Sequence, residues 1–227
     1  MTKNLLTSAL LAGVATGVFA ALLQLWFVIP HLMEGELYET GARVHFATDG
    51  STQSERAQPP LGDEYGRHFM TIGFNIITYT GYGLLMLAAM VFAHGKGYRL
   101  TPKMGLVWGL AGFIAVQMAP GIGQPPVLPG AIGSEIGPRQ TWWAATIIAT
   151  AIALALIAFA RGPLALLAIP LLLAPHVIGA PYLDTYFGVA PPELSARFAT
   201  LSLGAGMAGW TMLGFLCAYF WCKADEA

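Results

Sequence analysis

Charge is what this sequence lacks most. Only 10% of its 227 residues are Asp, Glu, Lys or Arg, whereas 56% are hydrophobic. A soluble domain usually carries about a quarter of its residues as charges, because its surface faces water. A chain with so few charges cannot cover such a surface, and its long apolar runs indicate lipid as the solvent. The composition therefore excludes an ordinary soluble domain and predicts an integral membrane protein.

Cysteines are scarce and the common catalytic signatures are missing. The two cysteines, Cys217 and Cys222, would point in different directions on a helix, which predicts neither a disulfide nor a thiolate cluster. The sequence has no G-x-x-x-x-G-K-[ST], no G-x-S-x-G, no H-E-x-x-H and no basic patch. We therefore predict a protein that is not an enzyme, does not hydrolyse ATP itself and does not bind nucleic acid.

Six apolar runs predict an all-α, polytopic membrane bundle of about six transmembrane helices, in a single transmembrane domain covering residues 1–227. Backbone polar groups in lipid must be satisfied within each segment, so every run is expected to be helical. The fifth run is short and contains Pro170 and Pro175, so five spans plus a re-entrant segment is the alternative. The predicted spans are 5–29, 68–93, 104–119, 142–160, 164–177 and 198–221.

The distribution of charge predicts the orientation. The connection HGKGYRLTPK, residues 94–103, carries Lys and Arg but no acid, which favours a cytoplasmic position for it and for the N-terminus. An exposed polar loop at about 34–67 then lies outside, on an acidic face that would concentrate cations. The carboxylates expected on that face are Glu34, Glu36, Glu39, Asp49, Glu55, Asp63, Glu64, Glu135, Asp184 and Glu193.

Three histidines fall where predicted spans meet the outer face: His31, His68 and His176. Neutral imidazole is a common ligand for transition metals, and Glu34 and Glu36 could add oxygen ligands from the same face. These five residues form the predicted metal site. Simple anchoring of the rings at the membrane interface is the alternative.

The stretch from residue 119 to 143 is rich in Pro and Gly, which predicts irregular backbone. Irregular backbone near a membrane must be buried in protein or line a wet cavity. We therefore predict that this stretch lines a vestibule, with a rigid outer loop as the alternative. The residues assigned to it are Pro120, Pro125, Pro126, Pro129, Gly130, Arg139 and Trp143.

Four motifs, in this order, resemble those of the probable cobalt transporter subunit family, the CbtA type. They are VIPHLMEGELYE (28–39), APGIGQPPVLPG (119–130), RQTWW (139–143) and PHVIGAP (175–181). The chain departs from the family pattern at Val127, where an acidic residue is expected. The resemblance implies a multi-pass protein of the bacterial inner membrane that supplies cobalt for cobalamin biosynthesis. It also implies a small single-span, His-rich partner subunit.

We therefore predict a subunit of a cobalt or divalent-metal uptake system, surrounded by membrane lipid and without a tightly bound cofactor. Divalent cobalt would bind only transiently at an outer vestibule, because a closed cage would not release its ion. Small residues at Gly13, Gly17, Gly105 and Gly109 suit close helix packing, within the chain or in a homo- or hetero-oligomer. A non-transporting structural or assembly subunit of a larger membrane complex is therefore the alternative.

Overall fold

Every described residue of the protein is helical or irregular. The computed structural model describes residues 2–46, 50, 52–62 and 64–225, and none of these forms a strand. Five helices are long and apolar enough to cross a membrane, and a shorter apolar helix makes six. The predicted all-α membrane protein is therefore confirmed. The helices are α1 Thr2–Glu39, α2 Tyr65–Gly95, α3 Pro102–Gly123, α4 Ile136–Phe159, α5 Gly162–Ile178 and α6 Pro192–Asp225.

The chain divides into two compact units. The first contains Met1–Trp26, Asp63–Phe113 and Gly204–Ala227, and the second contains Phe27–Gly62 and Ile114–Leu203. The single domain inferred from composition stays a prediction.

In the first unit, helices approach each other through glycine. A Cβ added to Gly13 or Gly17 on α1 would collide with the α2 backbone at Thr80 or Ile76. Added to Gly105 on α3, it would collide with the carbonyl oxygen of Gly214 on α6. These contacts confirm the helix-packing role predicted from small residues at i, i+4 spacing.

A reciprocal pair of amides joins α1 and α2 within the same unit. Gln24 Nε2 donates to Asn75 Oδ1 at 3.1 Å, and Asn75 Nδ2 donates to Gln24 Oε1 at 3.0 Å. The Asn75 amide also donates to the carbonyl of Thr71 at 2.8 Å. These two amides inside the spans thus satisfy each other, as expected in an apolar solvent.

Pro30 and Pro120 lie inside helices, although the predicted spans 5–29 and 104–119 end just before them. Pro30 and Pro120 each follow a π-helical segment, Gln24–Val28 and Ile114–Met118 respectively. In an α-helix, a proline lacks the N–H for the bond to the carbonyl four residues earlier, and its ring collides with that carbonyl. A π turn has a different hydrogen-bond pattern, so the helix can continue past the proline. Helix α1 therefore continues to Glu39, into the region predicted as an exposed loop.

The prediction of irregular backbone over the whole of 119–143 is wrong at both ends. Helix α3 reaches Gly123 and α4 begins at Ile136, so only the intervening residues, 124–135, are irregular. Proline is tolerated in the first turn of a helix, where its missing N–H has no intrahelical acceptor. Pro120 occupies such a position in the last helical segment of α3.

Helix α5 begins with a 3₁₀ segment, Gly162–Leu167, and continues as α-helix from Ala168 to Ile178. Pro175 lies inside the α-helical part. The helix ends at Gly179, whose φ of 85° is in the left-handed region that favours glycine. The helix therefore ends after Ile178 because of Gly179 and not because of Pro175.

Candidate functional site

A cavity of about 520 Å³ lies in the second unit, against the last turns of α1. His31, Glu34 and Tyr38 line it, and their i, i+3, i+7 spacing places them on one face of the helix. All three are buried, with exposed fractions of 6%, 3% and 6%. A buried imidazole and a buried carboxylate therefore share one wall of an accessible space.

Two further chain segments complete the lining. The connection between α1 and α2 supplies His45, Gln53, Ser54 and Arg56, and the start of α6 and the residue before it supply Pro191, Glu193, Leu194 and Arg197. The connection is held by paired bonds, since Val44 N donates to Ser54 Oγ at 3.0 Å and Ser54 N to Val44 O at 3.1 Å. Val44 and Ser54 of the polar loop are thus tied to each other beside the cavity.

The Pro-rich stretch packs behind this wall. Leu128 joins Tyr38, Leu194 and Phe198 in a buried apolar cluster. A Cβ on Gly35 would lie 2.9 Å from Leu128 Cδ2, so glycine at this position lets the stretch approach α1. Residues 128–130 (LPG) therefore pack against α1 without lining the cavity themselves.

His31 is held by both ring nitrogens. Nδ1 lies 2.9 Å from the carbonyl oxygen of Phe27, one turn earlier, and Nε2 lies 2.9 Å from Gln58 Nε2. A carbonyl only accepts and an amide nitrogen only donates, which assigns the neutral ring with its proton on Nδ1. Metal-binding histidines are commonly oriented by such a bond from the other ring nitrogen. The lone pair of Nε2, now accepting from Gln58, is the one a metal would use.

Glu34 is paired with a cation. Its Oε1 lies 2.9 Å from Arg43 Nη1, and the two side chains are only 4% and 17% exposed. Arg43 also donates to the carbonyl of Ala57 at 2.6 Å, which ties it to the loop. The charge of Glu34 is therefore already balanced, and any cation at this wall would compete with Arg43.

The other predicted ligands do not line this cavity. Glu36 is half-buried and, two residues from Glu34, lies on a different side of α1. His176 is half-buried at the end of α5, with its ring centroid 6.1 Å from that of Trp142. His68 belongs to the first unit. Among the described residues, no three His, Cys, Asp or Glu side chains form a group that could hold a metal ion.

Of the ten carboxylates predicted on the outer face, Asp49 and Asp63 lie outside the described residues. Glu34 and Glu64 are in ion pairs, with Arg43 and Arg67 respectively. The negative charge expected there is thus partly neutralised by neighbouring arginines.

Of the seven predicted vestibule residues, two, Arg139 and Trp143, line a second, smaller cavity. Arg139 and Trp143 line a space of about 230 Å³ together with Gln124, Ile136 and Gln140. Nearby, Trp142 Nε1 donates to the carbonyl of Pro175 at 2.9 Å, and Ser134 Oγ to that of Pro181 at 2.8 Å. The Pro-rich stretch, RQTWW and PHVIGAP therefore pack on one another.

Sequence reasoning missed most of the cavity. The i, i+3, i+7 spacing of His31, Glu34 and Tyr38 was a readable signal, because such residues share a helix face. No local pattern marks Arg43, Gln58 or Arg197, since their roles depend on chain segments that fold back onto α1.

The side chain of His68 has no hydrogen-bond partner among the described residues. Both ring nitrogens are shielded from solvent and neither meets a donor or acceptor among the described residues. An unpaired buried polar atom costs about 1–3 kcal/mol. We therefore expect His68→Phe to raise the thermal unfolding temperature of the metal-free protein. His94→Phe is the control, because His94 is exposed and bonded to Tyr98 O. A lower unfolding temperature for His68→Phe than for His94→Phe would contradict the expectation.

Comparison with known proteins identifies the family. Residues 2–222 match the family described as probable cobalt transporter subunit (CbtA). No curated protein and no solved structure matches the chain. The family match covers nearly the whole sequence, including all six helices apart from the last residues of α6. The chain therefore belongs to the CbtA family of probable cobalt transporter subunits.

Proposed function

We propose that this protein is the ion-binding subunit of a cobalt uptake system in the bacterial inner membrane, and that divalent cobalt binds transiently at the wall formed by His31 and Glu34. One observation carries the proposal: a buried imidazole, oriented through Nδ1, lies one helical turn from a buried carboxylate in the lining of a 520 Å³ cavity. Imidazole nitrogen and carboxylate oxygen are both ligands that divalent transition metals accept.

Binding at this wall would be weak, as transport requires. A cobalt ion takes the Nε2 lone pair of His31 from Gln58 and competes with Arg43 for Glu34. Two protein ligands leave most of the coordination sphere to water or to a carried ligand. An ion so held can leave again, whereas a closed cage would retain it.

The remaining predicted residues are part of the proposal. Glu36 and His176 act as further transient ligands in the second unit and His68 as one in the first, each binding the ion weakly. Arg139 and Trp143 line the vestibule with the Pro-rich stretch, that is Pro120, Pro125, Pro126, Pro129 and Gly130. The protein acts without catalysis and without a resident cofactor.

A subunit acts with another component, and we propose a small single-span, His-rich partner that passes cobalt on for cobalamin biosynthesis. The alternative, a purely structural or assembly subunit, was motivated by glycine-rich helix faces. Gly13, Gly17, Gly105 and Gly109 each meet a helix of this same chain. Those faces therefore lend no support to an interface with a larger complex.

We expect His31→Ala to reduce the initial rate of radiolabelled cobalt uptake by at least roughly tenfold, because losing even a residue that only orients a metal ligand costs about 10–100-fold in affinity or activity. The mutation removes the imidazole that α1 contributes to the described lining, in which His45 of the connection is the other histidine. Uptake is measured in whole cells at equal protein level, with His94→Ala as the control, since His94 lies in the connection after α2. Uptake by His31→Ala equal to that of His94→Ala would remove His31 from the site.

A further inference from the structure

The charges around the cavity determine which form of cobalt it suits. Arg43 balances Glu34. The remaining charged side chains of the lining are Arg56, Arg197 and Glu193. None of these three has an ion pair or hydrogen bond with another described residue. Taken together with Arg43, and with the imidazoles neutral, the described lining side chains carry one more positive than negative charge, which disfavours a bare divalent cation and favours an anion.

The size of the cavity also disfavours a hydrated cobalt ion as its occupant. Six waters around an ion occupy roughly 180 Å³, taking about 30 Å³ for each water. The cavity, at about 520 Å³, has almost three times that volume. Sites for small organic ligands usually measure about 300–1,000 Å³. The space therefore fits a metal with an organic ligand better than a hydrated ion.

The arrangement of the lining matches a ligand with two different ends. His31 is buried, whereas Arg56 and Arg197 are exposed. A guanidinium has a planar set of donors that fits a carboxylate in a bidentate manner. An exposed pair of guanidiniums and a buried imidazole thus suit a molecule with free carboxylates on one side and a metal on the other.

We propose that the cavity binds cobalt as its complex with a small polycarboxylate of the citrate type, not as the hydrated ion. Arg56 and Arg197 bind the free carboxylates, and the metal is presented to His31 Nε2. The one-to-one complex of citrate with divalent cobalt carries one net negative charge, which complements the excess positive charge of the described lining side chains taken together with Arg43. The inference rests on the proposed function, because it starts from a cobalt site at His31.

The test is a titration of the full-length protein in lipid nanodiscs by calorimetry, with three probes: cobalt chloride, citrate, and the preformed one-to-one cobalt–citrate complex. We expect the complex to bind wild type roughly tenfold more tightly than either component, the gain of one good charge-assisted contact. In Arg56→Gln/Arg197→Gln this preference should be lost. Arg161→Gln is the matched control, since Arg161 is exposed and lies between α4 and α5, apart from the lining residues.

The outcomes separate this inference from the proposed function. Equal affinities of wild type for cobalt chloride and for the complex would overturn the inference and leave the proposed function intact. Citrate binding as tightly as the complex, with no binding of cobalt chloride, would overturn both. An unchanged preference in Arg56→Gln/Arg197→Gln would overturn the assignment of the guanidiniums. Cobalt chloride binding that persists in this variant serves as the check that it is folded.

Discussion

Gly214→Ala will strongly destabilise the first unit, whereas Gly204→Ala on the same helix will not. A Cβ on Gly214 would collide with the carbonyl oxygen of Gly105 and lie 2.7 Å from the Cα of Gly109. The obstructing atoms belong to the backbone, so no change of rotamer can make room. Overpacking in a core costs about 1–3 kcal/mol, and a backbone collision belongs at the upper end.

Gly204 provides a matched control for this substitution. It lies in the same α6 helix, and a Cβ there would meet no atom within 4 Å. Alanine is the better helix former by about 1 kcal/mol, so Gly204→Ala should be neutral or slightly stabilising. A loss of about 3 kcal/mol corresponds to an unfolding temperature lower by roughly 6–12 °C for a chain of this size. Equal unfolding temperatures of the two variants in the same detergent would show that α3 and α6 do not cross through Gly214.

Arg43→Met will destabilise the second unit by about 3 kcal/mol, because it leaves the carboxylate of Glu34 buried without a cation. Glu34 is only 3% exposed, so water from the cavity replaces the guanidinium only in part. The methionine keeps much of the length and apolar contact of the arginine side chain. The loss should therefore reflect charge rather than packing, and it is measured as a shift of the thermal unfolding midpoint.

Adding Glu34→Gln to Arg43→Met isolates the cause. The double variant buries no unpaired charge and should regain most of the lost stability. Arg161→Met, at an exposed position, is the control for loss of an arginine as such. If the double variant stays as unstable as Arg43→Met, the important contact of Arg43 is its hydrogen bond to the Ala57 carbonyl.

The helices were predictable because lipid leaves the backbone no alternative. An apolar run in a membrane must satisfy its own hydrogen bonds, so six runs gave six helices. Their ends were less predictable. The predicted spans 5–29 and 104–119 end just before Pro30 and Pro120, but the helices continue past both prolines after π-helical segments that no local sequence pattern marks. Helix α4 begins at Ile136, before the apolar run, since a helix need not end where the hydrocarbon core ends.

The site was predictable only in its chemistry. His31 and Glu34 follow from their residue types and their position after an apolar run, and their spacing on α1 follows from helical geometry. The side chains that set the charge of the cavity could not be inferred. Arg197 and Glu193 come from the start of α6, far along the chain from His31, and only the folded second unit brings them into one lining.

The 3₁₀ start of α5 bears on the thickness of the bilayer that suits this protein. A 3₁₀ segment rises about 2.0 Å per residue against 1.5 Å in an α-helix, so the six 3₁₀ and 11 α-helical residues of α5 extend roughly 28 Å. That nearly equals a hydrocarbon core of about 30 Å, whereas the 31 residues of α2 extend roughly 46 Å. As a full span, α5 would match a thin bilayer and fall short in a thicker one, whereas α2 could fit both, by tilting or by projecting into the headgroups. Acyl-chain length would then determine how well a spanning α5 is held in the membrane.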